Sequence, residues 1–246
     1  MPSRHRRSTP VGIGSVATAA LAIVIAVTFV TMPGPRAAPP ARTIPGIDVS
    51  HYQGAIQWRR VRADGYRFAY LKATEGRGLV DATYAKNARA AAAAGLTVGA
   101  YHFARPDRSP GDATAEADAF LDVARPGPGR LVPLLDLEHS GGLAPPALRA
   151  WARTWLERVR AATGVRPAIY ASSRFWRVHM GGTTDFVSYP LMWIPQTPGA
   201  AAPAGGWQPM GWSILQWSLC GHVTGIAGCV DLDAMRMDRV RLLRIP

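Results

Sequence analysis

The run Leu131-Val132-Pro133-Leu134-Leu135-Asp136-Leu137-Glu138 ends an apolar segment on two carboxyl groups. Burying a carboxylate without compensation is costly, so a buried strand has no structural use for two of them. In extended chain residues i and i+2 point to one face, so Asp136 and Glu138 project together while Leu137 points away. Carboxyls this close repel, and one of them keeps its proton near neutrality. That is the pair glycosidic-bond hydrolysis requires, an acid to protonate the leaving oxygen and an ionised group to stabilise positive charge. A strand that merely ends in two solvated acids is the plainer alternative. The C-terminal end of a buried strand, where barrel active sites sit, favours catalysis over it. Three further acids occupy comparable strand ends: Asp48 after Gly46-Ile47, Glu75 after Tyr70 to Thr74, and Asp231 after Cys229-Val230. One such residue is an ordinary turn acid, but four strand ends supplying one mouth make a site. Asp233 is expected to cap a final helix from Ala234, and Asp81, Asp112, Asp118 and Asp122 to be solvated or capping residues.

Other chemistries find no support. The histidines (His5, His51, His102, His139, His179 and His222) show no HExxH or similar metal spacing, and neither a GxSxG elbow nor a phosphate loop is present. No metal or cofactor is implied, and His102 is expected to be a hydrogen-bonded structural residue. No basic helix interleaved with aromatics points to nucleic acid. Tyr52, Tyr101, Phe103, Tyr170, Trp193 and Trp217 lie on or beside the predicted strands. Sugars present apolar C–H faces, so an acid-rich cleft walled by Tyr and Trp suits a glycan, although core packing accounts for any one of these rings as well. Trp151 and Trp155, at i and i+4, read as core.

The elements that must hold these residues follow from periodicity. Strand-like runs are 46–50, 68–74, 97–103, 131–138, 166–171, 191–194, 213–217 and 229–232, with helical patterns over 82–94, 112–123 and 146–163. Alternating strand and helix in about 200 residues implies a mostly parallel sheet closed into one barrel. The helical signal fades after Met180, where strands joined by turns take over. The expected fold is therefore α/β, a single irregular (β/α) barrel over residues 44–246, TIM-barrel-like with fewer helices than strands and preceded by an N-terminal hydrophobic helix.

Of the 246 residues, 48% are hydrophobic and 18% charged, which excludes a disordered chain. The formal charge is +12, carried almost wholly by arginine, since Lys72 and Lys86 are the only lysines. Residues 1–10 are basic and 11–32 carry no charge over a length sufficient to cross a bilayer, which orients the N-terminus to the cytoplasm. The span is longer than the usual apolar core of a secretory signal, which favours an uncleaved signal anchor over a cleaved signal peptide. Either way the barrel is exported. Residues 33–43 form a proline-rich linker, stiff and extended.

With these residues assembled, the chain resembles the glycoside hydrolase family 25 lysozymes, the Chalaropsis-type muramidases. The matching segments are Gly46-Ile47-Asp48-Val49-Ser50-His51-Tyr52-Gln53-Gly54, Lys72-Ala73-Thr74-Glu75-Gly76, Gly99-Ala100-Tyr101-His102-Phe103, Asp136-Leu137-Glu138, Ile169-Tyr170, Leu191-Met192-Trp193-Ile194, Gln216-Trp217 and Gly228-Cys229-Val230-Asp231-Leu232-Asp233. The resemblance implies an irregular β/α barrel that hydrolyses the β-1,4 bond from N-acetylmuramic acid to N-acetylglucosamine in peptidoglycan. It implies Glu138 as general acid and Asp136 as the partner that orients the substrate's acetamido group or stabilises the transition state directly. Asp48 and Asp231 match the other acids of the cleft, and Glu75 a supporting glutamate. Tyr101, Tyr170, Trp193 and Trp217 are expected near substrate. Pro195 departs from the family pattern, and the loop from Thr197 to Gly206 stands where a wall of the cleft would be. A weak or non-catalytic wall-glycan-binding module and a chitinase-like hydrolase are the competing readings. The expected partner is bacterial peptidoglycan, with the membrane joined through the N-terminal helix if that is uncleaved, and the enzyme a monomer. Outside the cytoplasm Cys220 and Cys229 are expected to pair, closing a loop that steadies the segment carrying Asp231.

Overall fold

The computed structural model describes residues 40–194, 205–207 and 211–246, without the side chains of Trp193 and Ile194. The basic N-terminus, the hydrophobic span 11–32, residues 33–39 of the linker 33–43, Pro195 and most of the 197–206 loop lie outside the described residues. Within residues 38–246, which form one compact unit, nine strands run β1 (Thr43–Val49), β2 (Phe68–Glu75), β3 (Leu79–Val80), β4 (Thr97–Phe103), β5 (Leu134–Asp136), β6 (Ala168–Ser172), β7 (Leu191–Ile194), β8 (Ile214–Gly221) and β9 (Val230–Arg236). Their order is β1-β9-β8-β7-β6-β5-β4-β2-β3, and β1 also pairs with β2, so eight strands close a barrel and β3 hangs from β2 as a hairpin. Neighbours from β1 through β2 and β4 to β8 are parallel. Only β9 runs against both of its neighbours.

Five helices cover the outside: α1 (Trp58–Ala63), α2 (Tyr84–Ala93), α3 (Asp112–Ala124), α4 (Pro145–Thr163) and α5 (Ser173–His179). The α4 helix shows why the pattern was legible. Leu148, Trp151, Ala152, Trp155, Leu156 and Val159 repeat at three and four residues and are all buried. Two prolines open it, and Gly164, at φ 73°, closes it. The barrel strands divide their side chains between two cores. Ile47, Val49, Leu71, Leu135, Ile169 and Leu232 pack outward against the helices, whereas Phe68, Tyr70, Leu134, Ala168, Met192, Ile214 and Met235 fill the barrel. The C-terminal tail joins that inner core through Leu243 and Ile245, tied by Val132 N–H to Leu243 O and Ile245 N–H to Arg130 O. The tail therefore plugs the end at which the parallel strands begin, and leaves the end at which they finish for a site.

Several expectations are corrected. No final helix begins at Ala234: β9 continues to Arg236 because β1 and β8 flank it on both sides, and pairing outweighs a local capping signal. Asp233, expected as its cap, is instead fully buried on the inward face of β9. The 131–138 run is strand only over Leu134–Asp136, so Glu138 stands just beyond it. Asp112 and Asp81, expected as solvated or capping residues, are not solvated but buried. Asp112 accepts from Trp151 Nε1 at 2.8 Å and faces Arg77, while Asp81 accepts from the backbone and ring of His51 and from Thr83. His102 is the structural residue expected, bonded to Thr74 and to Glu116 and stacked on Trp155.

Candidate active site

A cavity of about 190 Å³ opens where the parallel strands finish. Strand alternation builds it. Asp48 is the last inward residue of β1, Asp136 that of β5, and Asp231 the first of β9, with Glu138 two positions past Asp136. Asp48, Asp136, Glu138, Asp231, Tyr101 and Tyr170 all line the cavity. Asp48 and Asp231 are direct partners across the antiparallel β1–β9 pair, so two carboxyls stand opposite one another. Like charges in that position repel.

Burial raises every one of these acids, and neighbouring carboxyls add to it at Asp48, Asp136 and Asp231. Burial and then Asp231 push Asp48 up to about 8, while Gln216 pulls it back by donating Nε2–H to Asp48 Oδ2 at 2.8 Å. Burial and Glu138 push Asp231 up to about 6. Asp136 is raised well above the carboxylate range by burial and by Glu138 and Asp48. Glu138, more accessible at the rim, is also raised, by loss of hydration, and the two share a hydrogen bond. That bond raises Asp136 and lowers Glu138, so it favours the proton on Asp136. The Tyr170 hydroxyl donates to Gln216 Oε1 at 2.8 Å, so Gln216 joins β6 to β1 across the barrel. Asp233 lies deeper. Both of its carboxyl oxygens lack a hydrogen-bond partner among the described residues, and burial, Asp48 and Asp231 hold its carboxyl well above the usual range.

Two of the expected residues stand outside the cavity. Glu75 sits behind the lining, paired with Lys72 and with Arg105 at 2.7 Å. Burial would raise its carboxyl, but those two cations outweigh it and hold Glu75 below the usual range. Its contact with the cleft is therefore indirect, through Lys72, which does line it. Trp217 follows inward-facing Gln216 and so points the other way, packing into the outer core. Trp193 has only its backbone described.

Lys72 and Gln216 line the cavity without having been assigned a role from sequence, and Tyr52, one of the aromatics expected to wall a glycan cleft, lines it too. A lone lysine within the buried run 68–74 was the available signal for the first, because a buried ammonium demands a partner. Cys220 and Cys229 form a disulfide across the β8–β9 connection, with Cα atoms 4.5 Å apart.

The profile for the glycosyl hydrolases family 25 matches residues 47–226. Lysozyme M1 of Streptomyces globisporus is 34% identical over 98% of this chain and 95% of its own length. An N,O-diacetylmuramidase of Arthroderma benhamiae is 34% identical over 68% of this chain and 74% of its own. The crystal structure of a bacterial lysozyme from Streptomyces coelicolor superposes with a TM-score of 0.75 at 33% identity, covering 82% of this chain and 96% of that one. These likenesses extend over the barrel that gathers the four crowded carboxyls, and the chain belongs to glycosyl hydrolase family 25.

Proposed function

We propose that this protein is a muramidase that cleaves the β-1,4 bond between N-acetylmuramic acid and N-acetylglucosamine in bacterial peptidoglycan, with Glu138 as the general acid. The observation that carries the assignment is that Asp136, Glu138, Asp48 and Asp231 line one cavity, in which burial holds Glu138 above the usual carboxylate range. Glu138 is the more accessible of the pair and, protonated, delivers its proton to the glycosidic oxygen as the bond to the anomeric carbon breaks. Asp136, left behind and buried, orients the acetamido group, whose oxygen captures the anomeric carbon until water displaces it and returns a proton to Glu138. Asp231, ionised above about 6, supplies negative charge to the oxocarbenium-like transition state, while Asp48, held neutral up to about 8, borders it. Glu75 acts through Lys72, and Tyr101, Tyr170 and Trp193 border the sugar.

The basic residues 1–10 and the uncharged span 11–32 support export, with the domain held outside the cytoplasm as a monomer on the 33–43 linker. Digestion of purified peptidoglycan, borohydride reduction and mass spectrometry test the bond: reduced muramic acid at the new ends is expected, and reduced glucosamine would contradict the assignment. Glu138→Gln should lose at least about a hundredfold in kcat while melting like the parent, the range general acid catalysis supplies. An equally active Glu138→Gln variant would remove Glu138 from the role.

A further inference from the structure

Four described aromatic side chains line the cleft, and they are not equivalent: Tyr52, Tyr101, Phe103 and Tyr170. Tyr170 is buried and committed through its hydroxyl to Gln216. Tyr101 packs largely into the inner core. Phe103 carries the Lys72 ammonium and the Arg105 guanidinium over its ring, each 4.7 Å from the centroid. Tyr52 is different, with 81% of its surface exposed.

That exposure is not looseness. Tyr52 lies in a single 3₁₀ turn, His51–Gln53, closed by a capping box in which the Ser50 hydroxyl accepts from the turn backbone and Gln53 Oε1 accepts from Ser50 N–H at 2.9 Å. The residue before it is bolted down: His51 donates its backbone N–H to Asp81 Oδ2 and places Nδ1 on the same oxygen, both at 2.9 Å, and the Asp81 side chain is wholly buried. The residue after it is also held, since Gln53 Nε2 donates to Cys229 O, two positions before Asp231. The His51 ring lies 4.2 Å from the Tyr52 ring, tilted by 37°. The backbone is thus held on both sides of a side chain that contributes little to the core, and an exposed aromatic gains nothing from burial.

We propose that Tyr52 is a stacking platform for a hexosamine ring of the glycan strand. The C–H bonds on one face of a sugar carry slight positive charge and meet the negative face of an aromatic ring. A side chain with only two torsions, on a turn whose backbone is held, loses little entropy on contact. The platform stands on the Asp48–Asp231 side of the cleft and selects for the glycan itself rather than for its peptide or for charge. This inference rests on the muramidase reading for the identity of the sugar, but its test is separable from it.

The probe is the soluble tetrasaccharide of alternating N-acetylglucosamine and N-acetylmuramic acid. Tyr52→Ala should raise KM about tenfold and leave kcat within about twofold, since the contact is made alike before and during bond breaking. Tyr52→Trp should restore KM. Calorimetric titration in the Glu138→Gln background should show the same tenfold loss of affinity for Tyr52→Ala, with the melting temperature unmoved. If the parent cleaves the tetrasaccharide and Tyr52→Ala changes neither KM nor Kd, the platform is refuted while the muramidase assignment stands. If the parent does not cleave it, the assignment falls, and the calorimetric comparison still decides whether Tyr52 holds the sugar. A drop in melting temperature with a matching loss of kcat, and no change in Kd, would make Tyr52 a structural residue and overturn the proposal.

Discussion

Asp48 shows how a single side chain converts crowding into a pH dependence. Its folded-state value of about 8 lies far above the ordinary 3.8, and that of Asp231, about 6, lies above it in the same direction. A raised carboxyl binds its proton more tightly folded than unfolded, so its contribution to stability is complete below about 3.8 and is lost as pH rises through 6 to 8. Melting temperature should therefore fall from pH 5 to pH 8. Asp48→Asn, neutral throughout, should gain on the parent toward pH 8, as scanning calorimetry at the two pH values would register; a flat parent profile would mean that the acids are not crowded. Gln216 is the residue that moderates this. Replacing it with Leu leaves Asp48 Oδ2 and the Tyr170 hydroxyl without their partner, at a cost of about 1–3 kcal/mol in urea unfolding. The same change removes the hydrogen bond that lowers Asp48 and should move the alkaline stability loss to still higher pH.

Among the elements, the β8–β9 pair is the one with a covalent constraint. Cys220 and Cys229 close a short loop, for which chain entropy allows roughly 2.7 kcal/mol at most. Cys220→Ser with Cys229→Ser should lower the melting temperature by several degrees, and hydrogen exchange should accelerate at Val230 and Asp231 before it does in β2 or β4. Equal exchange in both regions would deny the disulfide its part in steadying the cleft wall. The long elements were legible because their patterns repeat: α4 shows three turns of helical spacing, and β2 is buried over seven of its eight residues. The α1 and α5 helices, of six and seven residues, give too few turns for a period to emerge, and sequence reading passed over both. The strand bearing Asp136 was read too long because Pro133 and the residues before it are just as apolar as the three that pair.

At the scale of the molecule, the barrel is held open at one end by what fills the other. Phe68 and Tyr70 project from β2 into the interior and require glycine opposite them. A Cβ on Gly46 would lie 2.2 Å from the Phe68 ring, and one on Gly99 would lie 2.4 Å from that of Tyr70. Tyr70 has no freedom to yield, since its hydroxyl donates to Val132 O at 3.0 Å. Gly99→Ala should therefore destabilise the whole barrel by about 1–3 kcal/mol, the usual range for overpacking, measured as a shift in the urea midpoint with the slope unchanged. Unaltered stability would show that the aromatic floor is loosely packed.

The amino-acid sequence by itself determined the alternation of strand and helix, the amphipathic faces, and the pairing of Asp136 with Glu138, because each is a regularity among near neighbours. It could not determine that Asp48 and Asp231 face each other, that Gln216 ties one to Tyr170, that Trp217 turns outward, or that Asp233 is buried rather than capping a helix. Those outcomes were decided when β9 entered antiparallel between β1 and β8 and closed the barrel, an interaction between segments far apart in the chain that no local period encodes.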